Sequence, residues 1–219
     1  MGGFLAASTT DLIQGLLMSF AIVIVLIVGV VNAGGVANVI AHGQAIEGFF
    51  DVMKYHDPAT GGAVSQGVIP ILSGLAWGLG YFGMPHVLLR FMAIEDEEKL
   101  KLSRRVASIW VVISLSVAVF IGIVGLSMTK AGAIETLTGS NSETIIVKIA
   151  HLLSTHGVAT AIIAGVILAG ILAATMSTAD SQLLAAASSI SQNILTDVFH
   201  IKMSKKTSMN VARITVVII

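Results

Sequence analysis

Residues 73–90 read Ser-Gly-Leu-Ala-Trp-Gly-Leu-Gly-Tyr-Phe-Gly-Met-Pro-His-Val-Leu-Leu-Arg and lie in a run without charged residues from 58 to 89. At about 1.5 Å per helical residue, that run is long enough to cross a bilayer core of about 30 Å. Four glycines and a proline crowd its centre, although an interior Gly costs a helix about 1 kcal/mol and a Pro about 3. Lipid cannot satisfy the backbone groups that such a break frees, so they must meet protein or a water-filled cavity. The stretch therefore predicts an interrupted span of the kind that forms ligand sites in membrane proteins.

The composition indicates an integral membrane protein. The chain has 219 residues, of which 55% are hydrophobic and 11% charged, whereas soluble domains carry about 25% charged residues. Its net charge is zero, which gives no electrostatic case for a nucleic-acid partner. It has no cysteine, so disulfides and thiolate chemistry are excluded. The apolar run at 214–219, too short to cross a bilayer, predicts that residues 1–219 are a single fragment of a longer protein.

Uncharged runs predict an all-α, polytopic protein with about four full spans and the start of a fifth. The spans are expected near 7–32, 65–93, 106–129, 157–194 and 211–219. Between the first two spans, residues 33–63 are predicted to form a loop because they contain turn signals. Within it, residues 46–53 are expected to form a short amphipathic helix along the membrane surface. The acidic run at 95–98 is interpreted as a solvated loop, and residues 200–210 as another loop.

Lys and Arg counts predict the orientation. The loops near 90–105 and 200–213 carry nine of these residues, whereas the opposite side carries three. Positive residues concentrate on the cytoplasmic side. We therefore expect both basic loops in the cytoplasm, residues 33–63 outside, and the interrupted span running from outside to inside.

Trp77, Tyr81 and Pro85 are the first candidate binding residues. They are four residues apart, so any continuous helix would place them on one face. Trp and Tyr combine a flat apolar body with one polar tip, which suits a small, partly apolar ligand, and freed backbone groups from Gly78 to Gly83 could meet its charged groups. The alternative is that both aromatic residues belong to an interfacial belt, but their position within a broken span argues against it.

A second candidate site lies on the fourth span. Ala174, Ser177, Thr178 and Ser181 fall within an arc of about 100° on a helix, and uncharged oxygens on that face suit a hard cation. Without a cage of carboxylates, a monovalent cation fits best. The alternative, which is about equally compatible with the sequence, is that these hydroxyls serve helix packing.

Two acidic residues are further candidates. Asp180 lies just off the edge of the hydroxyl face, and acidic residues within membrane segments are functional candidates by default. Asp11 is similar if the first span begins upstream of it. Its alternative role is to cap that helix in a pattern resembling a capping box with Gln14. The six histidines are not spaced as metal ligands, and no nucleophile, phosphate-loop or metal motif supports an enzyme.

These stretches resemble the sodium/solute symporter family, and within it the sodium/proline symporters. The resemblance is carried by residues 74–86, almost residue for residue, by 90–93, by 2–6 with Thr10 and Asp11, and by 171–174 with 176–178. It covers nearly the whole chain. It implies part of an inverted-repeat core of the LeuT type, with further helices of the full transporter required to complete both sites.

The resemblance implies roles for the candidate residues. Positions 77, 81 and 85 would help to bind proline, and 174, 177 and 178 would bind the coupling sodium ion. In relatives with a second sodium, the positions of Asp11, Asp180 and Ser181 contribute to that site. The presence of an acid at 180, where the family has a hydroxyl, could strengthen a second cation site, favour a proton, or serve a helix contact.

The resulting hypothesis is a plasma-membrane symporter that imports proline or a similar small amino or organic acid with sodium. The alternatives are a sodium symporter for another carboxylate such as pantothenate, a transporter-like module that senses a solute, and a truncated, inactive product.

Overall fold

The computed structural model describes residues 3–57, 59–81 and 83–219, and its main elements are helices. In chain order they are α1 (Gly3–Asn32), α2 (Val36–Gln44), β1 (Lys54–Asp57), β2 (Gly62–Ser65), α3 (Val68–Tyr81), α4 (Pro85–Met92), α5 (Glu97–Lys130), α6 (Ile145–Ser154), α7 (Val158–Ser188) and α8 (Lys205–Ile218). A 3-10 helix at Gly139–Thr144 precedes α6, and a π-helical segment at Ser189–Val198 continues α7.

Among the residues that the structure describes, three helices are long and apolar enough to cross a membrane. They are α1, α5 and the combined helix Val158–Val198, and the bent pair α3–α4 makes a fourth if it is counted as one span. This agrees with the predicted four spans, with α8 as the short fifth helix. The expectation of an all-α fold has one exception, a two-stranded hairpin.

That hairpin and α2 occupy the segment predicted as a loop. Strands β1 and β2 pair antiparallel, with Lys54 opposite Ser65 and Asp57 opposite Gly62. The Asp57 carboxylate closes the turn by accepting hydrogen bonds from the Ala59 amide at 2.9 Å and the Thr60 hydroxyl at 3.1 Å. A carboxylate that binds its own turn in this way stabilises the reversal of the chain.

The amphipathic helix expected at 46–53 is wrong, because this segment forms successive turns. Gly48 adopts a positive φ of 75°, a conformation that favours glycine and interrupts a right-handed helix. The Asp51 carboxylate accepts a hydrogen bond from the Met53 amide at 3.0 Å, which gives the backbone a local alternative to helical bonding.

α1 begins well before Asp11, so the capping role considered for this residue is wrong. The helix starts at Gly3 and places Asp11 within its third turn. α1 contains no Lys or Arg, and most of its residues are apolar. Asp11 is therefore an acidic side chain within an apolar helix. That placement supports the alternative in which Asp11 lies within the span.

α5 also begins earlier than its predicted span, because the acidic run is a helix start. Asp96 is the N-cap residue and its carboxylate accepts a hydrogen bond from the Glu98 amide at 2.9 Å. Glu97 and Glu98 occupy the first turn, where negative charge is favourable to the helix dipole. Residues 97–105, predicted as loop, are therefore helical.

Small residues allow α1, α5, α6 and α7 to pack closely around a core that includes Val25, Val124 and Ile167. A Cβ atom on Gly170 of α7 would lie 2.7 Å from the Cβ of Ala21 on α1. A Cβ on Gly29 would lie 2.5 Å from Val124 Cγ1. Such contacts between small residues are typical of helices that associate in a membrane.

The end of the chain differs modestly from prediction. The π-helical segment ends at Val198, and His200 then has a positive φ of 53°, which does not continue a right-handed helix. The Ser204 hydroxyl then caps α8 by accepting a hydrogen bond from the Thr207 amide at 3.1 Å. The loop predicted at 200–210 is thus shortened, and α8 begins at Lys205 rather than near Val211.

Candidate functional site

The interrupted span is the first part of the candidate site. α3 ends at Tyr81, α4 begins at Pro85, and their axes differ by 50°; Phe82, which the sequence places in the break, lies outside the described residues. Met84 has an extended backbone (φ −74°, ψ 118°), as expected for a residue that precedes proline. Pro85 occupies the first turn of α4, where a missing N–H costs least.

Two aromatic side chains share one face of α3. The ring centroids of Trp77 and Tyr81 are 6.5 Å apart with planes inclined by 48°, within the range in which aromatic rings attract each other. Both are exposed, Trp77 by 74% and Tyr81 by 54%. Pro85 belongs to the next helix, so the predicted common face holds for Trp77 and Tyr81 only. Gly78 lies between them, and a Cβ there would meet no atom within 4 Å.

The hydroxyl face of α7 is the second part. The hydroxyls of Ser177 and Thr178 both donate to the carbonyl of Ala174, at 3.1 and 3.4 Å. The three oxygens therefore converge over one helical turn. Each hydroxyl keeps lone pairs for a cation, so the donor set fits sodium; it equally fits the packing alternative, in which hydroxyls bond back to the preceding turn.

A cluster that the sequence only partly predicted joins three helices. Arg90 Nη2 of α4 donates to Asp11 Oδ2 of α1 at 2.6 Å and to Ser181 Oγ of α7 at 2.7 Å. The Asp11 side chain is only 13% exposed, whereas that of Arg90 is 51% exposed. The structure thus brings together Asp11 and Ser181, two of the three residues predicted for a second cation site. Asp180 is exposed and lies one position away on the helix.

Sequence reasoning missed the role of Arg90 in this cluster. In the sequence, Arg90 contributes only to the predicted orientation and to the family resemblance. The feature that could have indicated this role is the position of Arg90 as the first charged residue after the uncharged run of the broken span. Gln14 was considered only as a partner in capping, yet its Oε1 is buried and, like Asp11 Oδ1, has no hydrogen-bond partner among the described residues.

A different polar contact joins α2 to the C-terminal end of α5. His42 Nδ1 of α2 lies 2.7 Å from Ser127 Oγ of α5, which is fully buried. The Lys130 ammonium donates to the His42 carbonyl at 3.4 Å. This contact fixes α2 across the end of α5 and fits the interpretation of the histidines as interface residues. Within the described ranges, no cluster of three or more His, Asp or Glu residues could hold a metal.

A family model described as the sodium:solute symporter family matches residues 1–219. The chain belongs to the sodium:solute symporter family. The family is one of symporters rather than enzymes, in line with the predicted absence of catalysis. No solved structure matches this symporter chain significantly.

Curated relatives of this symporter chain carry names that refer to proline. The chain is 36% identical over 220 residues to the osmoregulated proline transporter OpuE of Bacillus subtilis, covering 100% of this chain and 41% of that protein. It is 33% identical over 216 residues to the high-affinity proline transporter PutP of the same organism, covering 98% and 42%. It is 31% identical over 222 residues to the sodium/proline symporter of Escherichia coli, covering 100% and 41%. The chain therefore spans about two fifths of the length of these relatives.

Proposed function

We propose that this chain is part of a sodium-coupled transporter that imports proline, or a similar small amino or organic acid, by alternating access. The observation that carries the proposal is the broken span, with the Trp77 and Tyr81 rings paired directly before the break. A bent helix frees backbone groups for a charged ligand, and the two rings offer an apolar wall beside them. The pyrrolidine ring and the carboxylate of proline match these two features.

Sodium would bind on the hydroxyl face of α7. The Ala174 carbonyl and the hydroxyls of Ser177 and Thr178 supply uncharged oxygens, which suit a monovalent hard cation. They are too few to enclose an ion, so helices outside this chain must complete the shell. The remaining part of the transporter, including the other half of the inverted repeat, is therefore a required partner.

Coupling would follow from linkage between the two sites. If sodium binds the outward-open state best, it raises the affinity for substrate, and substrate raises the affinity for sodium by the same factor. Opening toward the cytoplasm would then release both. The same proposal places the protein in the plasma membrane, with residues 90–105 and 200–213 in the cytoplasm.

The test uses the full-length protein in proteoliposomes, with uptake of labelled proline driven by an imposed sodium gradient. We expect uptake with sodium and little uptake with an equal potassium gradient. Ser177→Ala combined with Thr178→Ala should raise the sodium concentration for half-maximal uptake by about 5- to 30-fold, the equivalent of one or two lost contacts of about 1 kcal/mol each.

Thr175→Ala is the matched control, because the Thr175 hydroxyl also bonds back within α7, to the Ile171 carbonyl, but lies on another face. The mechanism is wrong if proline uptake ignores sodium, or if the double variant keeps the sodium dependence of the parent protein. Uptake of a different carboxylate in place of proline would retain the sodium mechanism and correct the substrate.

A further inference from the structure

The cluster of Asp11, Arg90 and Ser181 holds the inner half of the broken span against its neighbours. Arg90 lies in the last turn of α4, and its Nη2 bridges α1 and α7 with contacts of 2.6 and 2.7 Å. Ser181 Oγ lies 3.5 Å from Asp11 Oδ2, so all three side chains meet at one point. α4 packs mainly against α7, and the ion pair between Arg90 and Asp11 links it to α1.

The groups around the guanidinium are acceptors. Asp11 accepts through Oδ2, and Ser181 accepts through a hydroxyl whose O–H donates to the Ser177 carbonyl at 2.9 Å. Asp11 Oδ1 and Gln14 Oε1 are buried and receive no hydrogen bond from the described residues. They lie three positions apart on α1 and hence on the same side of that helix. These partly buried acceptors carry one negative charge in total, so one positive charge among them is favourable.

We propose that Arg90 is a tethered cation that fills the second cation site expected at Asp11 and Ser181, so that docking of α4 and binding of a free cation there exclude each other. The guanidinium neutralises Asp11, and a sodium ion beside it would meet a like charge at contact distance. This inference rests on the proposed function. It implies that one coupling sodium ion binds, at the turn of α7 that contains Ala174. It also implies that the Arg90–Asp11 ion pair opens only when α4 moves away from α1 and α7.

The experiment compares Arg90→Gln with Arg90→Lys in the full-length protein. Two readouts are used: the sodium dependence of proline uptake, and the sodium-dependent rise in the melting temperature of the purified protein, which needs no transport. In the parent protein the Hill coefficient for sodium should be about one. In Arg90→Gln it should rise toward about two, since it is bounded by the number of sites, and a larger sodium-dependent rise in melting temperature should accompany it. Arg90→Lys should stay near the parent value.

Asp11→Asn keeps the inference falsifiable if Arg90→Gln does not fold. Asp11 is not a sodium ligand while Arg90 is docked, so this variant should leave the sodium Hill coefficient near one. A parent coefficient near two that falls to one in Asp11→Asn would overturn the inference, as would an Arg90→Gln protein with unchanged sodium dependence in both readouts. A parent protein that binds sodium but does not take up proline would instead overturn the proposed function, and the melting-temperature comparison would still decide the role of Arg90.

Discussion

At the scale of single residues, the proposed sites of this chain consist of a few polar and aromatic side chains in an apolar setting. Trp77 and Tyr81 were predictable because residues four apart share a helical face. The structure separates Pro85 from them, since the helix ends at Tyr81. The pairing of Arg90 with Asp11 was not predictable from spacing, because 79 positions separate the two residues and only the packing of three helices joins them.

Replacing Trp77 tests the aromatic wall. Trp77→Ala removes a large ring that pairs with Tyr81, and we expect the Michaelis constant for proline to rise by about 2- to 12-fold, from a contact of about 0.5–1.5 kcal/mol. Leu79→Ala is the matched control on the same helix, since Leu79 is equally exposed at 72% but points to the opposite side. Equal effects of the two substitutions on proline uptake would contradict a specific role for the Trp77 face.

At the scale of elements, hydropathy identified the spans but not their ends. The helix starts at Gly3 and Glu97 lie outside the predicted spans. α5 continues into polar sequence because Asp96 caps it and acidic residues occupy its first turn, whereas α1 extends through uncharged residues. The hairpin at Lys54–Ser65 was missed because its strands are only four residues long and carry little alternation. The turns at 46–53 depend on a single glycine conformation at Gly48, which a pattern of apolar residues does not reveal.

Glycines on α7 provide a test of the close packing between α1 and α7. Gly170→Ala would drive a methyl group to 2.7 Å from Ala21 Cβ, which has no rotamer with which to yield. We expect a loss of about 1–3 kcal/mol of stability, typical of overpacking, seen as a lower melting temperature of the detergent-solubilised full-length protein. Gly165→Ala is the control in the same helix, where a Cβ meets nothing within 4 Å. Because Ala is the better helix former, that variant should be neutral or more stable, and a Gly170→Ala protein as stable as Gly165→Ala would refute the packing argument.

At the scale of the whole molecule, the sequence predicted the family and the membrane spans. It did not show whether this chain contains a complete binding site. The broken helix and the hydroxyl face lie on different elements, and α3 presents exposed aromatic rings rather than an enclosed pocket. A binding site at an inverted-repeat interface needs both halves, and this chain spans about two fifths of its relatives. Two groups of polar contacts between helices nevertheless lie at opposite ends, with Asp11, Arg90 and Ser181 at one and His42 with Ser127 at the other.

This separation makes the predicted orientation testable with single cysteines introduced into residues 1–219, which contain none. Ala59→Cys lies in the exposed turn between β1 and β2, and Ile201→Cys lies in the exposed segment before α8. In intact cells, a membrane-impermeant maleimide should label position 59 of the full-length protein and should label position 201 only after the membrane is permeabilised. The parent protein without either substitution supplies the background, and His42 and Arg90 would then face the outer and inner sides respectively. Labelling of position 201 in intact cells would show that the orientation is the reverse of the predicted one. Arg90 would then hold the outer rather than the inner half of the broken span in place.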